Sequence, residues 1–400
     1  MNRRRFLQQS ALASAGTLLV PEFLKAMAQP LGASAGKGKI LVVIQLSGGN
    51  DGLNTIVPFG DDLYYSNRSK LALKGEELIK IDSHFAFNAR LRGLADIHHD
   101  GGLAILNSVG YPNPDRSHFR SLDIWHSASD ANQYWQTGWI GRYLDASCAG
   151  CGKPYMAIEV DDTLSMALKG DEVSGIACRD AKNFRFSSMN PMITQTAENY
   201  HAHEDDEHNV EYLRKTLGEL HQSASYIYEH SKIYKSAQLY PQHAFGKQLK
   251  MVAELIGSGS ETQIYYVSLP GFDTHALQRN QQDKLLGVYS EAMKAFYLDL
   301  KAAGRWSDTL VMTFSEFGRR VKENAGDGTD HGTANVLLLA GGSLKQKGIL
   351  NEAPDLKNLD DGDLIHKVDF RNVYSTVLSG WLGANAELAL GRKFDSMKFV

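Results

Sequence analysis

Six apolar runs of strand length punctuate the chain, and each stops at a cluster of Gly, Asp, Asn, Ser or His. "KILVVIQLSGG" (39–49) is continuously hydrophobic and ends in glycines, the pattern of a strand buried on both faces whose carboxyl end meets the loop "GGNDGLNT". "LRGLADIHHDGGLAILNSVG" reads as a helix, a turn at Asp100-Gly101-Gly102, and a second strand. "KPYMAIEV", "TQIYYVSLPGFDTH", "DTLVMTFSEFG" and "NVLLLAGG" supply four more. Strands separated by helices at this spacing predict an α/β fold, a large, mostly parallel sheet covered on both faces. From about residue 188 to 258 strand alternation ceases and good helix formers dominate, which predicts two or three helices forming an insertion or lid over the sheet.

The amino terminus changes the picture first. Residues 1–28 combine a basic start, a moderately apolar run and a small-residue ending at Ala26-Met27-Ala28. This is a secretory signal rather than a membrane span, which would need about 20 unbroken apolar residues. Arg3 and Arg4, followed by Phe6 and Leu7, resemble a twin-arginine export signal. The implied location is periplasmic, with the export machinery as a partner and no stable span after processing. Proteins exported folded often carry a metal or cofactor.

Charge excludes one class of partner. Residues 1–28 hold four basic side chains (Arg3, Arg4, Arg5, Lys25) and one acidic (Glu22), so the remaining 372 residues carry 38 basic and 45 acidic ones, a net charge of −7. An acidic surface argues against nucleic acid. Cys148 and Cys151 in "SCAGCG" form either a tight disulfide, favoured in an oxidising compartment, or half of a zinc site. "HAHEDDEH" (201–208) mixes histidines with acids, but so polar a stretch reads better as a solvated helix start or loop.

Candidate chemistry gathers where the strands end, because open parallel sheets bind ligands outside their carboxyl ends. Asp51 follows the first strand. Ser117 and His118 lie in "PNPDRSHFRSLDIW", Asp273 and His275 close "LPGFDTH", Glu316 closes "TFSEF", and His331 precedes "NVLLLAGG". Carboxylates and imidazoles from separate strand ends can converge on one or two divalent cations, and a hydroxyl at a helix start is placed for activation by a metal. Taken singly, Asp51 could only shape its turn and Ser117 could only cap a helix.

The order of these turns carries a family resemblance. "QLSGGNDGLNTIVP", "DRSHFRSLDIWHSA", "GFDTHALQ", "FSEFGR" and "TDHGTANVLLLAGG" resemble the alkaline phosphatase and sulfatase superfamily and, within it, the twin-arginine-exported branch called the DUF1501 family, from about residue 38 to the end. The resemblance implies a three-layer α/β sandwich, alkaline-phosphatase-like, with metals at the strand ends. It implies that Asp51 binds one metal beside the nucleophile Ser117, and that Asp273, His275 and His331 hold the other. Better-known members have Asp-His-Gly where this chain has Glu316-Phe317-Gly318. Three alternatives follow: His118 supplies the missing nitrogen; Asp51 and Glu316 hold an oxygen-preferring ion such as Mg2+, Mn2+ or Ca2+; or the second site is empty. Asp330 either orients His331 or only forms the turn. Arg116 and Arg120 flank Ser117 and either clamp ester oxygens or face solvent.

The implied activity is metal-dependent hydrolysis of a phosphate ester, on a small molecule or a polymer, through a serine nucleophile. Zn, Mg, Mn or Ca are the candidate cofactors. Sulfate esters come second, because no Cys-x-Pro-x-Arg motif is present. The alternative is an inactive member that acts in envelope binding or assembly.

Overall fold

A computed structural model describes residues 38–147, 153–188 and 208–400. The leader, the Cys148 and Cys151 pair and nearly all of the 201–208 run lie outside them.

Nine strands form one sheet: β1 (Ile40–Ser47), β2 (Leu103–Gly110), β3 (Ala157–Glu159), β4 (Ile176–Ala177), β5 (Ile264–Pro270), β6 (Thr309–Phe314), β7 (Asn335–Gly341), β8 (Gly348–Ile349) and β9 (Val368–Asp369). Their order is β8-β2-β7-β6-β1-β5-β3-β4, with β9 also on β2. β1 lies at the centre, parallel to β5 on one side and β6 on the other. Only β7 runs against its neighbours β2 and β6. All six predicted strands are present, and the sheet is mostly parallel.

Strand alternation divides the core into two layers. Val42, Ile44 and Leu46 point into one hydrophobic layer, while Leu41 and Val43 point into the other. The first is covered by α1 (Arg92–His99) through Leu94 and Ile97, among others. The second is covered by α2 (His118–Ser127) and α3 (Trp139–Ser147) through Ile124, Trp125, Trp139 and Tyr143. Helices therefore flank both faces, which makes the three-layer α/β sandwich.

The described part of the expected insertion, 208–258, holds two helices, α4 (His208–Ile233) and α5 (Ala244–Gly257). α5 is not a lid. Its Leu249, Val252, Ala253 and Ile256 are buried in the first core layer together with Leu285, Leu286 and Tyr289 of α6 (Gln278–Ala302). An apolar stripe of this width has to be covered, and the sheet face covers it. On the opposite face, α7 (Phe370–Thr376) adds Phe370, Val373 and Tyr374.

The reversed strand β7 brings its amino end to the rim where β1, β5 and β6 end. Asn335, the first residue of β7, is buried, and its amide donates to the carbonyls of Asn50 and Phe317, both at 2.9 Å. One side chain thus ties the start of β7 to the loops after β1 and β6. Asn335→Ala should cost about 2–4 kcal/mol, since it leaves two buried carbonyls without donors. Urea denaturation measures the loss.

Candidate metal centre

Three loops meet at this rim, and glycine makes their approach close enough. Gly48 and Gly49 follow β1 with φ of +117° and +77°. A Cβ on Gly48 would lie 2.5 Å from the Asp273 amide nitrogen, and one on Gly49 would lie 2.4 Å from the Phe317 ring. Only a residue without a side chain fits between them. The turn after β6 closes on itself through Gly318 N–H to Thr333 O and Gly332 N–H to Gly318 O. That pairing carries His331 to the rim.

Asp273, His275 and His331 converge there. The Nε2 atoms of His275 and His331 are 3.0 Å apart, and each lies 3.1 Å from Asp273 Oδ1. The other nitrogen of each ring sets its tautomer. His331 Nδ1 is 2.8 Å from the carbonyl oxygen of Arg116, which can only accept, so Nδ1 carries the hydrogen and the Nε2 lone pair of the neutral ring faces the carboxylate. His275 Nδ1 is 3.3 Å from Asp330 Oδ1, which imposes the same tautomer. Two lone pairs and an anionic oxygen facing one another repel unless a cation lies among them. Ligands about 2.1 Å from a cation and at right angles to each other are about 3.0 Å apart, close to the observed spacing.

His118 extends the group. Its Nδ1 is 2.9 Å from Glu316 Oε1 and its Nε2 is 3.5 Å from Asp273 Oδ2. That Nε2 is buried and has no hydrogen-bond partner, as expected of a nitrogen turned toward an ion. The hydrogen bond with Glu316 raises the His118 imidazole above its ordinary value, against the effect of partial burial. Burial pushes the Asp273 carboxyl up, but the hydrogen bond and the charge of Arg319 outweigh it and hold the group below the usual carboxylate range. His118, Asp273 and His331 offer ligand atoms within 4.8 Å of one another, and His275 lies in bonding range of two of them. The residues fit one divalent cation.

Asp51 and Glu316 stand outside this group. Asp51 Oδ2 accepts from Arg68 Nη1 and Gln278 Nε2, both at 2.5 Å, and Oδ1 accepts from the Leu53 amide at 3.2 Å. Glu316 is fully buried and accepts from the Gly48 amide, Ser315 Oγ and the His118 ring. Both oxygens of Asp51 and Oε1 of Glu316 are thus engaged by protein groups. Phe317 packs its ring on His118 and His331 with centroids 4.8 and 4.6 Å apart.

The remaining expectations divide. Asp330 orients His275 rather than His331, because Asn324 holds its carboxylate on the His275 side. Arg116 contributes its carbonyl to His331, while its guanidinium is held by Asp363 and Asp361, away from an ester-clamping role. Arg120 is buried rather than solvent-facing, and donates to the carbonyls of Asp130, Ala131 and Gln133. Ser117 is exposed at the start of α2, and its side chain caps nothing.

A family model described as "Protein of unknown function (DUF1501)" matches residues 106–382. The chain belongs to the DUF1501 family. No curated protein sequence matches it. Solved structures similar to this DUF1501 protein include the PsFucS1 sulfatase from Pseudoalteromonas sp., at 12% identity over 94% of this chain and 74% of that one, TM-score 0.42. They also include an alkaline phosphatase superfamily protein from Vibrio parahaemolyticus, at 12% identity over 89% and 69%, TM-score 0.41. A third is the C-terminal periplasmic domain of EcEptC from Escherichia coli in complex with Zn, at 12% identity over 78% and 75%, TM-score 0.38.

Sequence reasoning missed Arg319 and Arg68. Arg319 is 2% exposed and donates to the carbonyls of Gly49 (2.6 Å), Gly48 (2.5 Å), Phe272 (2.9 Å) and Thr329 (3.0 Å), and to Asp273 Oδ1 (2.9 Å). The only signal was its place in "FSEFGR", directly after a glycine in a turn. Arg68 lies in a stretch with no pattern that points to the rim.

Two outcomes follow for this DUF1501 protein. Arg319→Met should lower stability by about 3–5 kcal/mol, the cost of leaving buried acceptors and a carboxylate unpaired, as read by chemical denaturation. His126, buried beside Gln45 and Tyr266, is pushed down to about 4 by burial. Its folded value lies below the unfolded value of about 6.5, so the stability it allows is complete above pH 6.5 and is lost as pH falls toward 4. His126→Gln should remove up to about 3 kcal/mol of that loss in denaturation curves measured across this range.

Proposed function

We propose that this protein is an exported, metal-dependent hydrolase of phosphate esters, with sulfate esters less favoured, and that Ser117 is its nucleophile. The observation that carries the reading is the triangle of Asp273 Oδ1, His275 Nε2 and His331 Nε2, with both Nδ1 atoms committed to acceptors. Asp273, His275 and His331 hold one divalent cation, with His118 toward the second oxygen of Asp273. A bound cation supplies Lewis-acid polarisation of the ester and lowers the pKa of a hydroxyl beside it.

The chain's own residues do the rest. Ser117 stands between two residues that touch the centre, Arg116 through its carbonyl and His118 through its ring. Its amide donates to Asp115 Oδ1 at 2.7 Å, which fixes the backbone and leaves the hydroxyl uncommitted. The amino end of the ten-residue α2 favours an anionic ester group at this point. Ser117 Oγ loses its proton to solvent and bonds to the phosphorus as the bond to the ester oxygen breaks and the departing alcohol takes up a proton; water then attacks the phosphorus, restoring the serine hydroxyl and releasing phosphate.

Arg3 and Arg4 in residues 1–28 support delivery to the periplasm by the twin-arginine route, with the 38–400 segment as the working domain. No helix among the described residues is long and apolar enough to cross a membrane. A second reading, a binding or assembly protein that keeps the fold and the cation without turnover, is favoured by Phe317 and by the internal pairing of Asp51 and Glu316.

Elemental analysis and ester hydrolysis separate the two. The hydrolase should carry one metal per chain and cleave an aryl phosphate, and Ser117→Ala should keep the metal and lose at least about a thousandfold in kcat/KM. Stoichiometric metal with no Ser117-dependent turnover selects the binding role. Asp330→Asn should weaken metal affinity about 10- to 100-fold by loosening His275.

A further inference from the structure

Glu316 follows β6, has no exposure, and carries two contacts on one of its oxygens. Oε1 is 2.8 Å from the Gly48 amide nitrogen and 2.9 Å from His118 Nδ1. The Gly48 N–H only donates and a carboxylate oxygen only accepts, so Oε1 takes a hydrogen from the backbone and a second one from the imidazole. His118 therefore carries its hydrogen on Nδ1, and the lone pair of the neutral ring is on Nε2.

Further contacts fix where that lone pair points. Nε2 lies 3.5 Å from Asp273 Oδ2, is buried, and has no hydrogen-bond partner. The ring meets that of His331 edge to face, with 4.4 Å between centroids, and the Phe317 ring lies 4.8 Å from it. Phe317 is buried and directly follows Glu316, so the segment that accepts the Nδ1 hydrogen also supplies the apolar ring beside the imidazole. Swinging His118 away would break the hydrogen bond and leave a buried carboxylate oxygen with one donor fewer.

We infer that Glu316 is a positioning residue of the metal centre: by accepting the Nδ1 hydrogen it aims His118 Nε2 at the cation and makes His118 a fourth ligand beside Asp273, His275 and His331. The inference rests on the cation of the proposed hydrolase and not on its turnover. Glu316 acts through His118 rather than on the ion, because Oε1 would have to give up the Gly48 amide or the imidazole to turn toward it. A histidine ligand whose far nitrogen donates to a carboxylate is held in one tautomer and made a stronger base, which is worth about 10- to 100-fold in metal affinity. His118 is the first residue of α2 and Ser117 precedes it, so the same hydrogen bond ties the start of this helix to the end of β6. Placement of the serine and occupation of the cation site share that contact.

Metal binding is measured apart from turnover, by competition with a chelator for Zn2+ across a double-mutant cycle of Glu316→Gln and His118→Ala. Glutamine keeps the shape and an acceptor for the Gly48 amide but lacks the charge. Alone it should weaken affinity about tenfold, whereas in protein that already carries His118→Ala it should change affinity by less than about twofold. Losses of equal size in the two backgrounds mean that Glu316 only supports the Gly48 loop, and overturn the inference. Long-range proton–nitrogen NMR of the unsubstituted protein, before and after Zn2+ is added, reads the ligand without requiring any variant to fold. His118 should show a protonated Nδ1 and an Nε2 signal that moves with the metal; an Nε2 signal that Zn2+ leaves in place overturns the inference as well. Coupling in the cycle without hydrolysis of an aryl phosphate sinks the hydrolase reading and leaves Glu316 in this role, Ser117-dependent hydrolysis without coupling does the reverse, and protein that binds no Zn2+ overturns both.

Discussion

The rim of this sheet depends on one buried guanidinium. Loops leaving β1, β5 and β6 present carbonyl oxygens to one another, and partial negative charges crowded together repel unless a donor is placed among them. Arg319 is that donor. Its planar fork reaches the carbonyls of Gly48, Gly49, Phe272 and Thr329 and the carboxylate of Asp273 together. Lysine, with a compact ammonium, could not span those directions. The same contact holds Asp273 ionised, so the residue that gathers the loops also prepares the carboxylate around which the two imidazoles meet.

A second buried arginine engages the carboxylate that follows β1. Arg68 has no exposure and directs Nη1 at Asp51, Nε at the Val321 carbonyl and Nη2 at the Arg320 carbonyl. Its charge pairs with Asp51 at 2.5 Å, with both side chains buried. Glu316 Oε1 is held in the same way by the Gly48 amide and the His118 ring.

The reversed strand joins these parts. β7 begins at the rim where the strands it runs against end, so His331 and Asn335 arrive from the opposite chain direction and still face the same loops. His331 is held through the Arg116 carbonyl and His275 through Asp330. Each imidazole is oriented by a group from a different loop. The centre is therefore sensitive to the relative placement of loops as well as to the residues that touch the cation.

Much of the architecture was legible in the sequence, because a strand buried on both faces must be apolar throughout, and such runs as "ILVVIQL" and "NVLLLAG" have no other soluble use at that length. Asp273, His275 and His331 were also legible, since metal-capable residues directly after strands are few and the sheet's topology sends them to one edge. Pairing was not. Whether an oxygen of Asp51 or Glu316 is free depends on Arg68, Gln278 and His118, which come from distant parts of the chain and meet only in the folded state. For the same reason, periodicity marked 244–257 as helical but could not show that its apolar stripe faces the sheet. Local pattern determined the elements and the candidate ligands, because period and turn chemistry act over a few residues. Long-range contacts decided which carboxylates stay free, because a charge buried in the fold is neutralised by whichever partner the packing brings beside it.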